Sequence, residues 1–173
     1  AARARGFGVD VIAFDPFLPA DVAARHGVEL VSKSELLARS DYILMQAPMT
    51  PETRHFQSDA EFEAMKDGAI LVNTGRGPTV DNQALYRALT DGHLAAAGLD
   101  DPEEAPAQRA NWSPRDNPIF GLPNVLVTPH AAYYSEESIR AARVTAATQV
   151  AKVLTGRAPD YTVNAKALTK HLV

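Results

Sequence analysis

The stretch Ala69-Ile70-Leu71-Val72-Asn73-Thr74-Gly75-Arg76-Gly77 decides how this chain is read. A short apolar run ends in a polar, glycine-flanked arginine. A buried strand that delivers a functional side chain at its carboxyl end has this pattern, and in open α/β sheets ligands bind in the crevice beyond those ends. A guanidinium placed there offers a planar fork of donors that matches a carboxylate through two parallel hydrogen bonds. Gly75 and Gly77 let the backbone turn and leave room for close approach.

Outward from this stretch, short apolar runs alternate with helical patterns. Residues 9–14 and 42–47 read as strands, stopped by Pro16 and Pro48, because proline cannot continue a ladder. Residues 28–31 form a candidate short strand, and residues 95–100 and 125–128 follow as further strands. Helices are predicted at residues 19–26, from a Ser32 or Ser34 cap through Ala38, at 59–65 behind Ser58, and at 82–90 behind Asp81. A long helix over residues 135–155 ends at Gly156. Residues 1–5 read as the last turns of a helix. Each strand is a continuous apolar run, as in strands buried on both faces. The fold class expected is therefore α/β, a doubly wound parallel sheet with helices on both sides.

Composition narrows the chemistry. In 173 residues the apolar share is 46 % and the charged share 22 %, the proportions of a globular domain with a real core. The net charge of −4 gives no footprint for nucleic acid or an anionic membrane. The absence of cysteine excludes disulfides, thiolate catalysis and cysteine-ligated metals. No apolar run approaches the roughly 18 residues of a membrane span. A cytoplasmic setting is expected. No histidine pair has helical ligand spacing, so no metal site is expected, and the G-x-S-x-G elbow of a hydrolase is missing.

Four isolated polar residues fall at or just past the ends of predicted strands: Asp15, Arg76, Asp100 and His130. In a parallel sheet those ends share one edge. An acid after the second strand of a dinucleotide-binding unit accepts hydrogen bonds from ribose hydroxyls and repels a 2′-phosphate, the reading for Asp15. His130 follows Thr128-Pro129 and is a candidate for proton transfer near neutral pH. His26, His55, His93 and His171 do not share that position and are read as structural. Asp100, Asp101, Glu103 and Glu104 cluster, and spacing does not decide which of them meets His130.

With these residues in place the chain resembles the NAD-dependent D-2-hydroxyacid dehydrogenases, most closely the C-terminal-binding-protein-like and phosphoglycerate-dehydrogenase-like members. The resemblance runs from Ala1 to about Lys166. It is carried by Asp15-Pro16, Ala47-Pro48-Met49-Thr50-Pro51-Glu52-Thr53, Val72-Asn73-Thr74-Gly75-Arg76-Gly77, Gly98-Leu99-Asp100 and Thr128-Pro129-His130-Ala131-Ala132, in this order and spacing.

The resemblance implies a Rossmann-type domain that binds NAD and transfers a hydride between it and a D-2-hydroxy acid/2-oxo acid pair. Arg76 would hold the substrate carboxylate, His130 would exchange the proton, and Glu103, or else Glu104, would be the acid paired with it. Asp15 would bind the adenosine ribose. Pro48 and Thr53 would line the adenine side, Thr74, Gly75 and Arg76 the nicotinamide side, with Asp100, His130 and Ala132 completing the cofactor site. A homodimer through the cofactor domain is implied, with neither nucleic acid nor membrane as partner. The chain departs from the family in having Asp101-Pro102 where Val-Phe is usual, Gly75 where alanine is common, and Tyr133 where the C-terminal-binding-protein branch has tryptophan.

No G-x-G-x-x-G occurs in the 173 residues. In the family that loop and its strand come just before a helix resembling residues 1–7. The chain is thus expected to be the C-terminal part of a longer enzyme, its sheet incomplete at the N-terminal side beside residues 9–14. Residues 1–132 would be a partial NAD-binding domain, and residues 133–173 a helix and tail returning toward a substrate domain. Two rival readings are an NAD(H)-sensing or corepressor-like scaffold and an inactive truncated fragment. Retention of Arg76, an acid near position 103 and His130 together favours chemistry.

Overall fold

A computed structural model describes residues 1–103, 111 and 113–164. The chain divides into two compact units, Ala1–Ala132 and Tyr133–Val173.

In the first unit the strands are β1 (Ile12–Ala13), β2 (Glu29–Leu30), β3 (Tyr42–Met45), β4 (Ala69–Asn73), β5 (Leu94–Leu99) and β6 (Val125–Val127). The helices are α1 (Ala2–Arg5), α2 (Ala20–Arg25), α3 (Lys33–Arg39), α4 (Asp59–Glu63) and α5 (Asn82–Thr90). All strand pairings are parallel. They form two sheets, β1-β2 and β3-β4-β5-β6, divided beside β1 where the sheet was expected to be incomplete.

Local signals set the element ends. Ser32 and Glu35 form a capping box at α3, and Ser58 and Glu61 one at α4. The Asp81 carboxylate accepts from the Gln83 and Ala84 amides and starts α5. That helix buries Ala84, Leu85 and Leu89 on one stripe. The core also holds Ile43, Phe62, Leu71, Leu94, Leu99 and Ile119. Burying a leucine such as Leu71 contributes about 1.5–3 kcal/mol.

The expectation that the strands are covered on both faces needs correcting. Burial alternates along β3 and β4, so each buries one face. On the other face Tyr42, Leu44 and Leu126 are 61 %, 62 % and 69 % exposed. A continuous apolar run does not by itself tell how many faces find a partner. The two sheets are joined through Phe14, which stacks on Phe56, and Lys33, whose ammonium lies over the Phe56 ring and bonds Glu61 at 2.8 Å.

The second unit contains α6 (Glu136–Leu154), begun by a Ser135–Ser138 capping box. Gly156 follows at φ +71°, the left-handed turn its position after a helix requires. Residues 157–164 run back along the helix, with Asp160 bound by Gln149 and Lys152. No helix among the described residues is long and apolar enough to cross a membrane.

Candidate active site

The four strands of the larger sheet end on one row. Met45 pairs with Asn73, Asn73 with Leu99, and Leu99 with Val127. Pro48, Arg76 and His130 each lie three residues beyond that row, and Asp100 lies one beyond it. Neighbouring strands are about 4.8 Å apart, so the register alone gathers these residues on one edge.

The loop after β4 is built around the Arg76 carbonyl. The Asn73 amide donates to it at 3.0 Å, and the Thr79 hydroxyl and N–H donate at 2.6 and 3.1 Å. The Asn73 side-chain oxygen accepts the Gly75 N–H at 3.0 Å. With its backbone fixed, Arg76 extends its guanidinium along the exposed surface, bonded to the Gly75 carbonyl at 2.8 Å. Among the described residues it has no carboxylate partner in an ion pair. Gln46, Ala47, Pro48, Met49, Thr74, Gly75 and Arg76 line an open cleft of about 490 Å³. Thr74 is tied to Gln46 by a short hydrogen bond. Thr53 organises the near wall, donating to the Pro48 carbonyl and accepting from the Thr50 N–H, both at 2.7 Å. Gly75 sits under the Met45 and Ala47 carbonyls, where a Cβ would come to 3.2–3.3 Å.

Asp100 is buried and holds the loop after β6. Its carboxylate accepts from the Thr128 hydroxyl at 2.5 Å and from the Ala131 and Ala132 N–H groups at 2.8 Å each. Burial alone would raise its pKa. The Thr128, Ala132 and Ala131 hydrogen bonds and the nearby His130 outweigh that, and hold the carboxyl below its ordinary range. The Asp100 carbonyl accepts the His130 N–H at 2.6 Å. His130 stands at φ +52°, with its ring half exposed. Asp15 lies on the smaller sheet's edge and folds back on its own turn, accepting from Phe17 and Leu18.

The expected pairing of Glu103 with His130 is corrected by the geometry. The Glu103 carboxylate binds Arg54 at 2.9 Å and His55 Nε2 at 3.0–3.1 Å. Among the described residues, Asp101 brings a carboxylate oxygen to 3.6 Å from His130 Nδ1. The cause is a turn at Asp101-Pro102, after which Asn82 and Asn117 hold the Glu103 carbonyl at 2.7 and 3.4 Å. Glu104 lies outside the described residues. His55 was read as structural because it does not end a strand. In fact its loop continues along the same edge for ten residues past Met45. His93, by contrast, bonds the Phe62 carbonyl and Asp67, before β5 begins.

Parallel strands ending level beside a cleft, with charged groups along that edge, define a Rossmann-type α/β domain. Residues 1–132 match the family model described as D-isomer specific 2-hydroxyacid dehydrogenase, NAD binding domain, and the chain belongs to that family. It is 43 % identical over 163 residues to a D-3-phosphoglycerate dehydrogenase of Methanocaldococcus jannaschii, covering 94 % of this chain and 30 % of that protein. It is 42 % identical to a glyoxylate reductase of Korarchaeum cryptofilum, covering 80 % of this chain and 40 % of that protein. Among solved structures, the NAD complex of a D-isomer specific 2-hydroxyacid dehydrogenase from Lactobacillus delbrueckii ssp. bulgaricus superposes with a TM-score of 0.83. There the identity is 29 %, over 95 % of this chain and 51 % of that one. D-lactate dehydrogenase from Aquifex aeolicus, complexed with NAD and lactic acid, gives 0.80 at 32 % identity, over 90 % and 49 %. The chain thus spans less than half of these curated relatives and about half of these solved chains.

Proposed function

We propose that this chain is the cofactor-side part of an oxidoreductase acting between NAD(H) and a D-2-hydroxy acid/2-oxo acid pair. The observation that carries this reading is the level strand edge, which sets Arg76, Asp100 and His130 at the ends of neighbouring strands, with Arg76 lining the cleft. The cleft's fit to a planar ring is supported by Gly75, whose missing Cβ keeps its wall low. Thr74, Gly75, Arg76, Asp100, His130 and Ala132 would hold the nicotinamide end, and Pro48, Thr53 and Asp15 the adenosine end.

Bound NAD(H) supplies or accepts the hydride. Arg76 binds the substrate carboxylate through its fork, so that the 2-carbon faces the cleft. His130 gives or takes the proton at the substrate 2-oxygen. Asp100 fixes the His130 loop through the Ala131 and Ala132 N–H groups, and Asp101 faces the imidazole at Nδ1. Residues 1–132 act as the partial cofactor domain and residues 133–173 lead toward a substrate domain, in a cytoplasmic homodimer formed through the cofactor domain.

The test follows NADH absorbance on adding a panel of small 2-oxo acids to the full gene product. Acceleration by at least one of them is expected. NADH binding with no acceleration by any would sink the enzyme reading and leave the sensing scaffold.

A further inference from the structure

Neither His55 nor Glu103 lines the cleft, yet their contact ties the loop after β3, which does, to the loop after β5. The loop after β3 carries Pro48, Thr53 and His55. The loop after β4 carries Thr74, Gly75 and Arg76, and the loop after β5 carries Asp101 and Glu103. His55 donates its backbone N–H to the Pro78 carbonyl at 2.8 Å, which ties it to the turn immediately after Arg76. Its ring nitrogen Nε2 meets both Glu103 oxygens, at 3.1 and 3.0 Å. Its Nδ1 faces Asp81, the cap of α5, at 3.6 Å. Arg54 closes on Glu103 from the side, and Asn82, in the first turn of α5, holds the Glu103 carbonyl. The Glu103 side chain is only 16 % exposed. The backbone at His55 is left-handed, φ +48°, a conformation that histidine adopts at some cost.

We infer that His55 and Glu103 form a clamp whose work is to set the position of Arg76 against the Asp100–His130 edge. They are positioning residues, acting through loop spacing and not on substrate. The inference rests on the functional reading above for its kinetic consequence, but not for its structural one. With the clamp open, the loop after β3, bonded to the Arg76 loop at Pro78, loses its imidazole link to the loop after β5, and Asn82 on the Glu103 carbonyl is left to hold that side. The fork then meets the substrate carboxylate off its proper line, and a misplacement near 1 Å is worth roughly 10²-fold in rate.

The test uses the full gene product. His55→Asn suits the left-handed backbone but is too short to reach Glu103. His55→Gln restores an amide donor at the reach of Nε2. Glu103→Ala removes the acceptor. For His55→Asn and for Glu103→Ala, kcat/KM for the 2-oxo acid should fall roughly 10- to 100-fold, mainly through KM. The KM for NADH should stay within about twofold. The double variant should be no worse than either single one, as for two residues sharing one contact. His55→Gln should recover most of the loss. Amide hydrogen exchange over residues 76–81 and 101–103 should quicken in His55→Asn and not in His55→Gln. Unchanged KM together with unchanged exchange would overturn the clamp. Should the parent protein turn over no 2-oxo acid, the functional reading fails, and exchange alone still decides: faster exchange supports the clamp, unchanged exchange overturns it.

Discussion

Replacing Gly77 with alanine adds one methyl group at the tightest backbone crossing beside the site. An alanine Cβ there would lie 2.2 Å from the Asp101 carbonyl oxygen, 2.5 Å from the Glu103 nitrogen and 2.6 Å from the Pro102 carbonyl carbon. All three are main-chain atoms, so no side chain can rotate out of the way. Reaching even 3.0 Å from the oxygen requires the two loops to part by about 0.8 Å. That movement is resisted on one side by the Val80 N–H bond to the Gly77 carbonyl, and on the other by Asn82 on the Glu103 carbonyl. Alanine would normally stabilise by about 0.4–1 kcal/mol through the unfolded chain. Overpacking of this kind costs about 1–3 kcal/mol, and the clash should win. Each net kcal/mol lowers Tm by about 2–4 °C in a chain of this size. The same displacement moves Arg76, so kcat/KM for the 2-oxo acid should drop by up to roughly 10²-fold. Thermal melts and steady-state kinetics of Gly77→Ala measure both. Gly121→Ala, where nothing lies within 4 Å of the added carbon, is the control. A Gly77→Ala protein that melts and turns over like the control would refute the crossing as the element that spaces the loops.

Three further outcomes are expected. Arg76→Lys keeps the charge but loses the fork; turnover of 2-oxo acids should fall strongly while NADH binding, measured by fluorescence titration, holds, and equal losses would mark a structural arginine. The folded-state pKa of Asp100 is held below the ordinary value of 3.8, so its stabilisation is complete above about pH 4 and is lost as pH falls through the lower, folded value. Asp100→Asn should therefore melt lower than the parent at neutral pH and converge with it in acid; parallel Tm–pH curves would contradict the assignment. Asp15→Ala should weaken NAD binding and relax discrimination against NADP, and a parent protein preferring NADPH would show that Asp15 does not face the ribose.

Where a signal was local, the sequence carried it to the residue. The Asp81 cap places α5 at Asn82–Thr90, and the apolar run places β4 at Ala69–Asn73 with Arg76 beyond its end. Strand length and covered faces were not legible in the same way, because both belong to neighbours. Residues 9–14 form only a two-residue strand, since β1 pairs with β2 alone. The destination of Glu103 was hidden for a related reason. Its direction is set by Arg54, His55, Asn82 and Asn117, partners 14 to 49 positions away in the chain. Nothing within a short window around Asp101-Pro102 names them.

Two non-glycine residues among those described have a left-handed backbone, and both are histidines at this edge, His55 and His130. An L-residue with a Cβ is held there against a bias of roughly 1–2 kcal/mol. Glycine would relieve that bias at either position, and asparagine would ease it. Selection for thermal robustness alone should therefore drift away from histidine at the two positions whose proposed roles call for an imidazole. Screens of variants by melting temperature would enrich sequences that have traded proton transfer, or loop spacing, for a relaxed main chain. Stabilising designs built on this scaffold should hold positions 55 and 130 constant and look for their gains elsewhere.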